Sequence, residues 1–321
     1  MVKHFLDFEK PIIELENEIE HLKRFSKGRL VHLDEQVKHL EEKLRRVQKE
    51  IFSNLTGWQI TQLARHIDRP RTSYYLHKIF ENFIELHGDR AYGDDPAIIG
   101  GISKFNGRSV VCIGHQKGAD AKEMVSRNFG MPHPEGYRKA LRLMKMAENF
   151  QKPIITLIDT PGAFPGVGAE ERGQAEAIAR NLRSMVSLRT PILTLVIGEG
   201  GSGGALAIGI GDRLLMLEYS IYSVISPEGC AAILWKDGKK GEVAAESLKL
   251  TARDLHQLGV IDEVIPEPLG GAHRNPQAMS DILKEAVERN LKEIEKMDVD
   301  ELLKLRYEKF RKMGTFIEKS E

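Results

Sequence analysis

An α/β fold with a largely parallel sheet, a helical hairpin ahead of it and a helical tail behind it follows from three observations. From about residue 96 onwards, short continuous apolar runs (PIITLID at 153–159, PILTLVIG at 191–198) alternate with amphipathic helical stretches. That alternation is the signature of strands buried on both faces and covered by helices. Glycine is concentrated, with 21 of the 29 falling in 88–229, whereas 1–87 hold only Gly28 and Gly57. Outside that stretch the pattern is helical, charged and poor in turns, both at the start of the chain and over 285–318.

Taken in order, Ile12, Leu15, Ile19 and Leu22, then Leu33, Val37, Leu40, Leu44, Val47, Ile51 and Leu55, recur every three or four residues. The break around Ser26-Lys27-Gly28-Arg29 predicts two antiparallel helices. Such a stripe says that a helix is covered but not by what, so an oligomerisation or docking arm and a cap on the same subunit stand equally. Residues 109–114 read as a strand, 136–150 as a helix, 153–159 as a buried strand, 170–188 as a helix and 191–198 as another buried strand. A short helix from Gly203 follows, then strands near 213–218 and 221–225. Helices over 227–235 and 252–258 precede a last strand at 260–265. The expected division is a helical region at 1–87, an α/β core at 88–284 and a helical tail at 285–321.

Composition narrows the function. Lys and Arg number 47 against 47 Asp and Glu, which removes the basic footprint of a general nucleic-acid binder. Cys112 and Cys230 are too few for a four-cysteine zinc site and form no C-x-x-C pair, so a metal-free chain in a reducing compartment is expected. No apolar run approaches the ~18 residues of a membrane span. Asp7, Glu9, Glu14 and Glu16 interrupt the stretch where a signal peptide needs apolar continuity. The expectation is a cytoplasmic protein.

The segment Gly198-Glu199-Gly200-Gly201-Ser202-Gly203-Gly204-Ala205 carries the most information. Gly198, Gly200 and Gly203 spell the dinucleotide pattern G-x-G-x-x-G, with Glu218 in the place of a ribose-binding acid. Too little strand–helix pattern follows, however, for two mononucleotide halves. Gly200, Ser202 and Gly204 also spell the nucleophile elbow G-x-S-x-G, with Asp254 or Asp262 and His256 or His273 in the required order. A glycine-packed corner without chemistry is the plain alternative. A second turn, Asp159-Thr160-Pro161-Gly162-Ala163-Phe164-Pro165-Gly166, leaves the preceding parallel strand. Two neighbouring strands then end in turns of exposed amide groups with few side chains, suited to an oxygen that becomes negative. A thioester enolate or a ureido oxygen fits both turns at once.

At these residues the chain resembles the alpha subunits of bacterial acetyl-coenzyme A carboxylase carboxyltransferase, within the crotonase-like superfamily. The resemblance runs over nearly the whole chain, from Leu6-Asp7-Phe8-Glu9-Lys10-Pro11 through Gly114-His115-Gln116-Lys117-Gly118, Asn128-Phe129-Gly130-Met131 and Pro134-Glu135-Gly136-Tyr137-Arg138. Both glycine turns, Ser226-Pro227-Glu228-Gly229-Cys230 and Pro268-Leu269-Gly270-Gly271-Ala272-His273 complete it. It implies a crotonase-like spiral core, of a domain type that in a broader definition begins at about residue 34. It also implies carboxyl transfer from carboxybiotin, borne on a separate biotin carboxyl carrier protein, to acetyl-CoA, giving malonyl-CoA for fatty-acid synthesis. The implied partner is a beta subunit bearing a zinc finger, in an alpha-2-beta-2 heterotetramer, with biotin carboxylase in the wider complex. By the resemblance, Gly203 and Gly204 donate backbone hydrogen bonds to the biotin ureido oxygen. Gly162, Ala163 and Phe164 form the neighbouring wall, and Gly200 and Gly201 belong to the same biotin-binding surface. Carboxybiotin, once it has given up its carboxyl group, serves as the base, so no His or Glu need be tuned for that task. A serine hydrolase using Ser202 and a docking subunit without chemistry are the competing functions.

Other residues have two readings each. Lys117, with Lys122 and Arg127 nearby, fits CoA phosphates, a partner surface or a solvated loop. His115 is expected to be a hydrogen-bonded core or interface group. Glu170 and Glu171 are expected to open a helix, where its dipole stabilises carboxylates. Ser226 is expected to cap the helix holding Glu228 and Trp235, Trp235 being an interface anchor or a core residue.

Overall fold

The continuous apolar runs lie at the centre of one sheet in the computed structural model, which describes residues 4–27 and 33–314. The chain opens with helices α1 (Lys10–Lys27), α2 (Asp34–Ser53), α3 (Gly57–Ala64) and α4 (Thr72–Ile79). Strands β1 (Glu81–Glu85), β2 (Ile98–Phe105) and β3 (Arg108–His115) follow, then α5 (Ala121–Ser126) and α6 (Pro134–Asn149). The centre is β4 (Ile154–Thr160), α7 (Val167–Glu171), α8 (Gln174–Ser187), β5 (Ile192–Gly201) and α9 (Ser202–Leu206). After it come β6 (Arg213–Leu217), β7 (Ile221–Ser223), α10 (Pro227–Trp235), α11 (Gly241–Leu248), α12 (Ala252–Gln257) and β8 (Glu263–Ile265). Two helices, α13 (Pro276–Ile294) and α14 (Val299–Lys312), finish the described chain. Among the described residues no helix is long and apolar enough to cross a membrane.

The strands are ordered β1-β2-β3-β4-β5-β6-β8, with β7 beside β5. β3 to β8 run parallel, while β1, β2 and β3 form an antiparallel edge. β5 is long enough to pair twice. Its first half lies against β6, and Glu199–Gly201, at its carboxyl end, against β7. Side chains of opposite parity face opposite sides, as the strand period of two requires. Ile155, Leu157, Leu193 and Leu195 meet α4 and α13, whereas Ile154, Ile158, Ile192 and Val196 meet α6 and α8. Each such fully buried aliphatic side chain contributes about 1.5–3 kcal/mol.

Four expectations need correcting. β1 falls inside the stretch expected to be purely helical at 1–87, and neither it nor β2 was expected. The glycine pair Gly100-Gly101 blurs the apolar pattern of β2, because a side chain at Gly101 would strike the Ile84 carbonyl of β1. The helix expected over 170–188 is two helices broken at Gly173, whose φ of +83° suits glycine. Glu170 and Glu171 therefore close α7 and do not open the longer helix. The tail boundary at 285 cuts through α13, which begins at Pro276 and packs Met279, Leu283 and Val287 into the core.

The first two helices return to the same subunit at their root. Ile12 and Phe52 pack with Leu63 and Tyr219, and Phe52 lies 5.7 Å from the Tyr219 ring. Fully buried Glu9 accepts from the Leu6 N–H (2.9 Å) and meets His273 (3.3 Å) and Arg274 (3.2 Å). Arg274 also pairs with Glu16 of α1. The root is thus a cap on this subunit; the expected turn at Gly28-Arg29 lies outside the described residues. At the other terminus, Arg306 of α14 is buried, holding Asp212 at 2.7 Å and donating to the carbonyls of Met185, Leu188 and Thr190.

Candidate active site

The two glycine turns meet. Thr160 at the end of β4 pairs with Gly200 near the end of β5. A Cβ placed on Gly204 would lie 2.5 Å from the Ala163 nitrogen and the Gly162 carbonyl carbon, and one on Gly201 would strike the Pro161 carbonyl. Main chain therefore touches main chain, and no side chain fits between. Gly203 differs: a Cβ there would meet only Ile178, at 3.6 Å. Gly203 and Ser202 instead line a cavity of about 330 Å³ whose other walls include Leu206, Tyr222, Leu255 and Phe310. The first amides of α9 have no acceptor within the helix. Among the described residues no hydrogen bond from the N–H of Gly203 or Gly204 is found.

The segment 128–134 braces the turn at 159–166. The Phe164 N–H donates to the Pro132 carbonyl (3.0 Å), and Gln174 Nε2 bridges the Pro132 (2.9 Å) and Phe164 (3.0 Å) carbonyls. The Phe164 ring stacks on His133 with centroids 4.2 Å apart.

Beneath the turns lies a cluster of charged side chains that no motif announced. The Lys117 ammonium sits 2.8 Å from Asp159 and 3.3 Å from Glu199. Arg65 holds Glu199 at 2.7 Å and reaches Glu228 of α10 at 2.6 Å. Burial works against the Lys117 charge, but attraction to Asp159 and Glu199 outweighs it and raises its pKa. Glu199 is likewise opposed by burial, yet Lys117 and Arg65 hold its pKa below the usual range. Lys117 is therefore neither a phosphate ligand in a loop nor a solvated charge. Lys122 is exposed, and Arg127 is engaged by Glu123 and the Pro96 carbonyl.

The remaining expectations divide. His115 is fully buried, but neither ring nitrogen has a partner among the described residues. Burial pushes its pKa down to about 3 against the opposing influence of the Gly204 and Leu157 backbone, so it is a neutral core group. The dinucleotide reading fails because Glu218 accepts the Glu267 N–H (3.0 Å), away from the glycines. The hydrolase reading has one feature in its favour, a left-handed φ of +50° at exposed Ser202. Among the described residues no triad accompanies it: His273 lies against His66 with the rings tilted, His256 is exposed, and neither is hydrogen-bonded to Ser202. Asp254 is occupied by Thr251 and Asp262 by Lys309. Ser226 caps α10 as expected, accepting the Gly229 N–H (3.0 Å). Trp235 is 38% exposed beside the still more exposed Ile233 and Leu234, so it is not a core residue.

Among the described residues, Glu9, His66 and His273 are the one group with metal-ligand atoms gathered together, all within 4.8 Å. Part of this set is already engaged, although His273 Nδ1 has no partner among the described residues. Arg274 and the Leu6 N–H occupy Glu9, and His66 Nδ1 accepts the Asp68 N–H (3.1 Å). Burial, then the neighbouring His273, pushes the His66 pKa down to about 4.

The sequence pattern of the family described as acetyl co-enzyme A carboxylase carboxyltransferase-like matches residues 5–314. The chain belongs to this family. It is 62% identical to the acetyl-coenzyme A carboxylase carboxyl transferase subunit alpha of Geobacter metallireducens, covering 98% of each chain. The protein of the same name from Methylococcus capsulatus is 58% identical, again over 98% of each. Among solved structures, transcarboxylase 12S superposes with a TM-score of 0.56 at 20% identity, over 70% of this chain and 44% of that one. The beta subunit of Pseudomonas aeruginosa geranyl-CoA carboxylase gives 0.52 at 17% identity, over 71% and 45%. The chain spans less than half of these larger carboxyltransferase chains, and the likeness to them is one of fold: the crotonase-like α/β core implied by the sequence resemblance.

Proposed function

We propose that this carboxyltransferase-family chain is the alpha subunit of an acetyl-CoA carboxylase and presents the carboxybiotin side of its transferase site. The observation that carries the reading is the main-chain contact between the two turns, with Gly204 seated on Gly162 and Ala163. Carboxybiotin, brought by a separate carrier protein, supplies the carboxyl group and, once relieved of it, the base that takes the acetyl proton. This chain's part is to receive negative charge. The amides of Gly203 and Gly204, reinforced by the start of α9, donate to the ureido oxygen as charge builds on it. One such donor is worth roughly 2.7–4 kcal/mol in comparable sites. Gly162, Ala163 and Phe164 wall the same space, and Gly200 and Gly201 keep it free of side chains. Acetyl-CoA is held largely by a zinc-finger beta subunit in an alpha-2-beta-2 assembly that works with biotin carboxylase. The exposed Ile233, Leu234 and Trp235 at the end of α10 are an apolar surface suited to such a partner.

The purified chain mixed with the beta subunit, assayed with malonyl-CoA and free biotin, tests this. Turnover only in the mixture is expected. Acyl-CoA hydrolysis by this chain alone would favour Ser202 as a nucleophile, and undiminished turnover by beta alone would make this chain a docking subunit.

A further inference from the structure

The sheet is irregular at the point where the turns begin. Ile158 of β4 faces Val196 of β5, but Thr160 faces Gly200, so two steps along β4 match four along β5. The surplus residues of β5 form a bulge opposite Asp159, and a bulge leaves backbone groups without ladder partners. Side chains take them up: Arg69 donates to the Ile197 carbonyl at 2.8 Å, and Asp159 accepts the Glu199 N–H at 3.1 Å. This repair sets Asp159 beside Glu199, two carboxylates with 8% and 7% of their side-chain surface exposed. The Lys117 ammonium, at 2.8 Å and 3.3 Å, bridges the pair.

We propose that Lys117 is a positioning residue whose charge holds Asp159 to Glu199 and so fixes the bulge from which both glycine turns leave the sheet. Thr160 and Gly200, which begin the turns, directly follow those two carboxylates. Arg65 grips Glu199 from the other side but makes no contact with Asp159, so it cannot replace Lys117. The remaining groups facing the pair are Arg69, already paired with Glu267, and Tyr75 on α4; neutral His115 faces Lys117. Glu228, beyond Arg65, adds negative charge. Without Lys117 the two carboxylates repel: they part and carry the turns with them, or one of the pair must take up a proton to stay.

The inference rests on the proposed function for its activity readout, and a stability readout stands apart from it. In the beta-containing mixture, Lys117→Met is expected to lower kcat about 100-fold, the cost of a displacement of about 1 Å, with KM for malonyl-CoA little changed. In urea unfolding of the isolated chain, the same variant gains a pH dependence on top of that of wild type. A carboxyl whose folded pKa is raised stabilises below its unfolded pKa and loses that contribution as pH rises through the folded value. The midpoint of Lys117→Met therefore falls, relative to wild type, as pH is taken from about 5 to 8. Adding Asp159→Asn removes one carboxylate, keeps an acceptor for the Glu199 N–H, and is expected to abolish that slope and return most of the turnover. If Lys117→Met does not fold, the charge-balanced double variant must. A double variant that is unfolded, more steeply pH-dependent than wild type or no more active than the single one overturns the proposal, as does a single variant with wild-type kcat. An inactive wild-type mixture would instead sink the functional reading, leaving the unfolding experiment to decide about Lys117.

Discussion

At the ends of β4 and β5, Lys117, Asp159 and Glu199 lie beneath main chain almost bare of side chains, whereas at the root of the first two helices Glu9, His273 and Arg274 join two long helices to the core. Both clusters bury charge and satisfy backbone groups with carboxylates. At the root the side chains themselves are the contact, so a shift of a few tenths of an ångström loosens a joint. Beneath the turns they hold backbone that must stay open to a ligand, so the same shift alters a surface of amides. Similar side-chain chemistry thus serves attachment in one region and shape in the other.

The comparison breaks first at Gly204. Gly204→Ala puts a methyl carbon 2.5 Å from backbone atoms of Gly162 and Ala163, which cannot rotate aside. A loss of at least about 100-fold in malonyl-CoA turnover by the mixture is expected. Gly203→Ala sharpens the point, because its methyl group meets only Ile178 at an ordinary distance. Unfolding should show that variant as stable as wild type or firmer by about 0.5–1 kcal/mol, as for Gly→Ala in a helix. Its turnover should nonetheless fall, since the added carbon occupies space kept for the ligand; unchanged turnover would remove Gly203 from the site. At the root, Arg274→Met leaves buried Glu9 short of a cation. A stability loss of about 3–5 kcal/mol, read from urea midpoints, is expected with kcat per folded complex unchanged.

Each region also holds one histidine kept neutral, His115 near the turns and His66 at the root, with pKa values pushed down to about 3 and about 4. A base whose folded pKa is lowered costs stability as pH falls below its unfolded value of 6.5. Each should therefore contribute a loss of about 1.4 kcal/mol per pH unit between pH 6.5 and its folded pKa. His115→Phe should roughly halve that slope in urea unfolding between pH 6 and 5. The smallest effect belongs to Ser202→Ala, for which activity in the wild-type range is expected because none of the described histidines is bonded to the hydroxyl.

The parallel centre of the sheet was legible because 153–159 and 191–198 are apolar at every strand position, a pattern that solvent-facing strands do not show. The turns were legible for a related reason, since only close approach of backbone calls for so many glycines. β2 was hidden by its own glycines, and the split at Gly173 by an amphipathic pattern that continues across it. The charged cluster could not be read at all. Lys117, Asp159 and Glu199 stand on three different strands or their extensions, and only the bulge, a property of pairing, brings them together. Arg65 and Glu228 come from helices whose approach depends on tertiary packing.

Arg306 carries a practical lesson for anyone shortening or extending this polypeptide. Its guanidinium makes five hydrogen bonds at once, two to Asp212 and three to main-chain oxygens in the last turn of α8 and the segment joining it to β5. A stop codon placed ahead of it would expose those acceptors and uncover the flank of the central strand to proteases. Affinity tags at that end therefore belong after the last helix, never in exchange for it.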